Sequence, residues 1–176
     1  MVMQLLTILL LIVLPSTHCF GQEDDVPLEY LVKAKYLINL PLFTEMTSHK
    51  NNGTDFTICV IGDTPMEYVL KSSKGIIIKG RPLSVSKIED PGQVDRCQIL
   101  FIAASERYRL QALLTKTQQQ GILTVSDMRD FTRMGGIIGL VTVNARVTFD
   151  LNRSSAGRAS ITFSSHLLKL AHDIIN

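Results

Sequence analysis

The sequence predicts a three-layer α/β sandwich, in which a mixed, mainly parallel sheet is flanked by helices and completed by a C-terminal β-hairpin plus helix. Three apolar runs are typical of buried strands: residues 56–61, 99–102 and 122–125. Segments with helical periodicity separate these runs, and such alternation indicates a parallel sheet covered on both faces. Two further runs rich in β-branched residues, 137–143 and 146–151, flank Asn144 and Ala145, which predicts the hairpin.

The first half of the domain begins with a predicted helix. Pro27 suits its first turn, and Pro41 indicates that it ends near Leu40. Its inward face is predicted to consist of Leu31, Ala34, Ile38 and Leu42. Thr64-Pro65-Met66-Glu67 forms a capping box that begins the next helix. In this half, a strand is predicted over residues 56–61 and a short helix over 65–73. Residues 76–78 and 83–85 are predicted to form one or two further strands.

The second half contains two more predicted helices. Ser105 is predicted to cap the first, which Gly121 ends, and its inward face contains Leu110, Leu113 and Leu114. Residues 154–158 are predicted to form a loop. Ser164 or Ser165 then caps a last helix, whose predicted inward residues are Leu167, Leu168, Ala171, Ile174 and Ile175.

The N-terminal residues predict export. Residues 5–14 are apolar except for Thr7, a length typical of a signal-peptide core and too short to span a bilayer. Cleavage after Cys19 or after Gly21 fits the small residues there, so we assign residues 1–21 to a signal peptide and 22–176 to a single domain. The formal net charge is +2, and its basic residues are scattered, which gives nucleic-acid binding little support.

The cysteine count predicts a disulfide. After removal of the signal peptide, Cys59 and Cys97 remain, an even number in an exported chain. The alternative is a pair of buried free thiols. No C-x-x-C motif and no zinc-finger spacing occurs in the sequence.

A candidate ligand pocket is predicted where the strands end. In open parallel sheets, ligands lie beyond the carboxyl ends of the strands. The residues at those positions are Gly62, Asp63, Ser105, Ser126 and Asp127.

The sequence contains no convincing catalytic or metal-binding set, and we expect no cofactor. Asp127 and Asp130 could form a carboxylate pair, but both follow capping signals and suit solvated helix starts better. His166 and His172 are expected on an exposed helix face. The glycines at 135, 136 and 139 lack the Lys-Ser/Thr of a phosphate-binding loop. We therefore expect a binding protein rather than an enzyme.

Six segments carry a resemblance to a known family. They are V-K-A-K-Y-L-I-N-L with Phe43, I-C-V-I-G-D, C-Q-I-L-F-I, L-T-V-S-D with Phe131 and G-G-I-I, V-T-F-D-L-N, and S-S-H-L-L-K-L-A. In this order, across residues 28–175, the chain resembles the YfiR family of bacterial periplasmic regulators. Cys59 and Cys97 match the structural cysteine pair of that family.

The resemblance implies a periplasmic protein, often dimeric, that represses an inner-membrane diguanylate cyclase by binding its periplasmic sensor region. It also implies a releasing partner in the outer membrane or periplasm, with cyclic di-GMP and biofilm formation as the output. Two departures stand out. Thr132 and Gly139 occupy positions where some members have a second cysteine pair, and Met46-Thr47 replaces a frequent Trp-Pro. A periplasmic small-molecule receptor, with its pocket at the strand ends, is the alternative function.

Overall fold

The computed structural model describes residues 26–47 and 53–176. The helices are α1 (Leu28–Asn39), α2 (Met66–Lys71), α3 (Leu110–Gln119), α4 (Arg153–Arg158) and α5 (Ser165–Leu170). The strands are β1 (Thr44–Met46), β2 (Phe56–Ile61), β3 (Ile77–Ile78), β4 (Arg81–Ile88), β5 (Ile99–Ile102), β6 (Leu123–Ser126), β7 (Ile138–Val143), β8 (Arg146–Asn152), β9 (Ile161–Phe163) and β10 (Asp173–Ile175). Short 3-10 helices cover Leu40–Phe43, Pro91–Arg96 and Ala104–Arg109.

Eight of these strands form one sheet, in the order β10-β8-β7-β6-β5-β2-β4-β3. The five strands from β7 to β4 run parallel to one another. β8 is antiparallel to β7, β3 is antiparallel to β4, and β10 pairs in parallel with β8 at the edge. β1 and β9 form a separate antiparallel pair. The predicted α/β fold with a mixed, mainly parallel sheet and a hairpin followed by a helix is confirmed.

The central strands are buried on both faces, and their alternation defines the three layers. In β2, Ile58 and Val60 pack on the side of α1 and α2, whereas Cys59 and Ile61 pack on the side of α3. The same alternation occurs in β5. Because both faces are apolar, these strands appear in the sequence as continuous hydrophobic runs, which is why they were predictable.

The hairpin between β7 and β8 turns at Asn144 and Ala145. Both residues have positive φ, 49° and 59°. Two successive left-handed residues give a turn whose twist matches that of the flanking strands. Asn tolerates this conformation well and Ala poorly, so pairing along the two strands must hold Ala145 in place.

The disulfide joins neighbouring strands on the α3 side of the sheet. Cys59 in β2 is bonded to Cys97, which lies two residues before β5, and the two Cα atoms are 5.6 Å apart. Both residues are fully buried. The bridge closes a separation of 38 residues that contains α2, β3 and β4.

The predicted inward face of α1 was right for Ala34, which is buried, and for Ile38, which packs against the core, but wrong for Leu31 and Leu42. Leu31 and Leu42 are exposed, and the buried positions of the helix are Lys33, Ala34 and Leu37. The apolar pattern left Lys33 out because a lysine is almost never fully buried unless it is paired. The 3-10 helix Leu40–Phe43 continues the chain through Pro41, where the regular helix ends as predicted.

The last quarter of the chain differs from the prediction in two places. Residues 153–158 form α4 rather than a loop, capped by Asn152, whose side-chain oxygen accepts a hydrogen bond from the Ser155 backbone N–H at 2.7 Å. The last helix, capped by Ser164, ends at Leu170, and Ile174 and Ile175 belong to strand β10. Pairing with β8 outweighs their helical spacing in the sequence.

The segment between β6 and β7 is tightly packed. A Cβ at Gly136 would lie 2.1 Å from the Phe131 ring, so only glycine fits there. Thr132 and Gly139 are neighbours, since a Cβ at Gly139 would lie 3.5 Å from Thr132 Cγ2. The two positions where some family members have cysteines are therefore adjacent in space.

We expect the double variant C59A/C97A to be less stable than the wild type by about 3–4 kcal/mol, because the bridge restricts the unfolded chain over a long loop. Alanine is preferred to serine because the site is apolar and a buried hydroxyl would lack a partner. Thermal unfolding of the oxidised wild type, the reduced wild type and the variant measures the effect. Equal midpoints in all three samples would contradict a stabilising role.

Candidate functional site

The predicted strand-end residues do lie along one edge of the sheet. β2, β5 and β6 are neighbouring parallel strands, so the positions that follow them meet at their common carboxyl edge. Gly62 follows β2, Ser105 lies in the 3-10 helix after β5, and Ser126 ends β6.

Around Gly62 and Ser105 this edge is engaged in packing and backbone contacts, whereas the Asp63 side chain is 94% exposed, with its Oδ1 3.9 Å from Lys87 Nζ. The Asp63 backbone N–H donates to Ser105 Oγ at 2.9 Å, so Ser105 joins two loops rather than capping α3 as predicted. A Cβ at Gly62 would lie 2.6 Å from Ser105 Oγ and 2.7 Å from Glu106 Cγ. The space between Gly62 and Ser105 is thus filled, and the ligand pocket at this edge stays a prediction.

Ser126 and Asp127 occupy the other end of the same edge. Ser126 is buried, donates to the Ile102 carbonyl at 2.6 Å and accepts from the Met128 backbone N–H at 3.0 Å. Asp127 turns its carboxylate towards α1, where Lys33 Nζ lies 2.9 Å from its Oδ2. Ser126 fixes the backbone, and Asp127 presents a negative charge to the helix layer.

A charge cluster centred on the buried Lys33 therefore connects α1 with the sheet edge. The Lys33 side chain is only 7% exposed and the Asp127 side chain 11%. Lys33 Nζ also lies 2.7 Å from Glu29 Oε1 and 4.9 Å from the centre of the Tyr30 ring. Glu29 in turn accepts a hydrogen bond from Thr142 of β7 at 2.8 Å. The predicted site residue Asp127 thus has a structural partner that the sequence did not reveal.

The contacts of Lys33 shift the pKa of three groups in this cluster. Burial by itself lowers the pKa of Lys33, but hydrogen bonds to Glu29 and Asp127 outweigh it, and the pKa is raised. The hydrogen bond from Lys33 is the largest cause that lowers the pKa of Glu29. Burial, reinforced by the Asp127 charge, raises the pKa of Tyr30. At neutral pH Lys33 is therefore a cation, Glu29 a carboxylate and Tyr30 a neutral phenol.

A second feature is an apolar groove lined by Val32, Lys35, Tyr36 and Asn39 of α1, with a volume of about 380 Å³. Its walls come from α1, the 3-10 helix Leu40–Phe43, β8 and α5. Phe149 and Leu167 form a buried floor, while Leu42 and Leu170 are 59% and 55% exposed at the rim. The Phe43 ring lines one end and lies 5.5 Å from the His166 ring. The sequence did not predict this groove, because it is formed by residues far apart in the chain.

The polar residues considered for catalysis are dispersed. Asp130 is exposed and pairs with Arg129, whereas Asp127 is bonded to Lys33. His172 Nδ1 lies 2.9 Å from Asp150 Oδ1, and His166 packs against Phe43. Within residues 26–47 and 53–176, no group of three His, Cys, Asp or Glu side chains could hold a metal ion. In the same residues, no helix is long and apolar enough to cross a lipid bilayer.

A family model described as YfiR/HmsC-like matches residues 30–172. No curated protein matches the chain. Among solved structures, the chain is similar to the ABC domain from Streptococcus pneumoniae in complex with L-Trp, with a TM-score of 0.54 and 8% identity over 84% of this chain and 60% of that one. It is also similar to a conserved domain protein from Vibrio cholerae O1 biovar El Tor, with a TM-score of 0.52 and 12% identity over 85% and 60% of the two chains.

At these identities, the likeness to the two solved structures concerns the fold alone. This chain spans 60% of the length of each of them. The family match, by contrast, is a match of sequence. It covers residues 30–172, from within α1 to the residue before β10.

We expect K33M to lower the free energy of unfolding by about 3 kcal/mol, because it leaves the Asp127 carboxylate buried without its cation. The matched control is K71M, which breaks a lysine–glutamate pair that also spans one helical turn but has an exposed lysine. This control should cost about 0.5 kcal/mol or less. Urea unfolding of both variants measures the difference, and equal losses would contradict a special role for Lys33.

The same cluster predicts a pH dependence. Since the folded-state pKa of Glu29 is lowered from 4.5, its contribution is present above that value and lost as pH falls through the lowered pKa. Since the pKa of Lys33 is raised from 10.5, its contribution is present below that value and lost as pH rises through the raised pKa.

We therefore expect E29Q to flatten the loss of stability between about pH 5 and pH 3. E45Q, which alters an exposed carboxylate outside the cluster, is the control and should leave the slope unchanged. Unfolding free energies measured across this range test the expectation. An E29Q profile parallel to that of the wild type would contradict it.

Proposed function

Because the chain belongs to the YfiR/HmsC-like family, we propose that it represses an inner-membrane diguanylate cyclase by binding the cyclase's periplasmic sensor region. The family is one of periplasmic, non-catalytic regulators of cyclic di-GMP signalling that act through protein–protein interaction. In this proposal, the exported domain acts as a homodimer, and a partner in the outer membrane or periplasm releases the repression. Cyclic di-GMP and biofilm formation then rise.

The single observation that carries this proposal is the family match over residues 30–172. Two features of the structure support it. The buried Cys59–Cys97 bridge suits an oxidising compartment such as the periplasm. The candidate acid–base residues have structural partners of their own, which suits a protein that works by binding.

Repression by binding follows from a shift of populations. The cyclase exchanges between an inactive and an active arrangement, and a protein that binds the inactive one more tightly increases its share. The difference between its two affinities sets how complete the repression can be.

A periplasmic small-molecule receptor is the second candidate. The apolar groove favours it, since its volume of about 380 Å³ lies within the range of small-molecule sites. The predicted alternative location is the strand-end edge near Gly62, Asp63, Ser105, Ser126 and Asp127. A thermal-shift screen of the purified protein with amino acids, vitamins and other metabolites distinguishes a receptor from a regulator that binds protein alone.

Deleting the gene should raise cyclic di-GMP and biofilm mass in a strain that expresses the cyclase, because the inactive arrangement loses its stabilising partner. Complementation with the full chain should restore repression. The matched control is the same chain without residues 1–21, which we expect to remain in the cytoplasm and fail to complement. Cyclic di-GMP measured by mass spectrometry tests this proposal, and an unchanged level after deletion would count against it.

A further inference from the structure

The apolar groove continues into an exposed apolar surface. Leu42 and Leu170 stand on its rim, and the exposed Leu28 and Leu31 lie one helical turn before the lining residues Val32 and Lys35. Large leucines exposed together at a groove differ from single apolar residues scattered over a surface, which need no explanation. The floor beneath them is fixed, since Leu40, Phe149 and Leu167 belong to the main core. The groove is thus a preformed surface.

The charge around this groove is positive. Lys35 is exposed in its lining, and no ion pair of its ammonium occurs within the described residues. Lys169 lies exposed on α5 beside Leu170. No aspartate or glutamate is among the lining residues.

The carboxylates on the elements around the groove are paired elsewhere. Glu29 pairs with Lys33, Glu45 with Lys79, and Asp150 with His172. Because these carboxylates have other partners, the positive charge of Lys35 is available to an occupant of the groove. A complementary occupant is therefore apolar and carries an acidic group within reach of Lys35.

Two other occupants fit the groove less well. In a symmetric contact with a second copy of this chain, the same surface meets itself. The positively charged Lys35 of one copy would then face the basic rim of the other, and the like charges would repel. A small ligand would find few free polar groups, since the Tyr36 hydroxyl donates to the Val147 carbonyl and the Asn39 amide donates to the Lys35 carbonyl. Small-molecule sites usually have several convergent polar groups for orientation.

We propose that this groove is the docking surface for an apolar, acid-bearing helical segment in the periplasmic region of the membrane-anchored cyclase. The proposal rests on the function proposed above and adds the surface through which it operates. Apolar side chains of the segment enter between Leu42 and Leu170 over Phe149, as in other helix-in-groove complexes. One carboxylate of the segment pairs with Lys35.

Site-specific photo-crosslinking in living cells tests the placement. A photoreactive amino acid at position 42 or 170 of the full chain should yield, after illumination, an adduct that mass spectrometry identifies as the periplasmic region of the cyclase. Tyr108 is the control position, because it is 81% exposed and does not line the groove. Adducts with the cyclase from position 108 only, or adducts from positions 42 and 170 with a second copy only, would overturn the proposal.

Charge and shape variants test the energetics. Binding of the purified protein to the purified periplasmic region of the cyclase should weaken at least about tenfold in L42E, L170E and K35E. Y108E should bind like the wild type. Because all four positions are exposed, unchanged unfolding midpoints should separate lost docking from lost folding.

The outcomes separate this inference from the proposed function. If the wild type represses and binds while the folded groove variants bind with unchanged affinity, the docking surface is wrong and the repressor function stands. If the wild type neither represses nor binds the cyclase, the repressor function fails and the inference fails with it. A metabolite that copurifies with the wild type and is lost in L42E and L170E, without a change in cyclase binding, would assign the groove to a small ligand and overturn the inference.

Discussion

The position of α1 depends on one buried ion pair, between Lys33 of the helix and Asp127 at the carboxyl edge of β6. An amphipathic helix can rotate about its axis at modest cost when apolar residues occur on several sides, and α1 has leucines at 28, 31 and 37. A buried cation cannot rotate away from its carboxylate without a large penalty. Lys33 therefore fixes which side of α1 faces the sheet. Leu37 is buried, and Leu28 and Leu31 face solvent beside the groove.

Features that depend on local sequence signals could be predicted, and features that depend on contacts between distant residues could not. Strands buried on both faces, such as β2 and β5, appear as continuous apolar runs, and the hairpin appears as two β-branched runs around a turn. These signals are local, so the fold class followed from them. The burial of Lys33 is not local, since its partner Asp127 lies 94 residues away. Hydrophobic spacing alone therefore assigned Leu31 to the interior and was wrong.

The candidate site also has features that could be predicted from the sequence and features that could not. Parallel strand order was predictable, and it brings Gly62, Ser105 and Ser126 to one edge. The roles of their side chains were not predictable, because Ser105 bonds the Asp63 backbone across 42 residues. The groove combines α1, β8 and α5, and no sequence motif shows that these elements meet. The groove is recognised only in the folded chain, where Leu42 and Leu170 are exposed at its rim.

The edges of the main sheet restrict how this domain can associate with other chains. The outermost strands, β3 and β10, are only two and three residues long. Short edge strands offer few backbone groups to another chain, and this discourages polymerisation by strand addition. Recognition of other proteins is thereby directed to side-chain surfaces, where specificity can be set residue by residue.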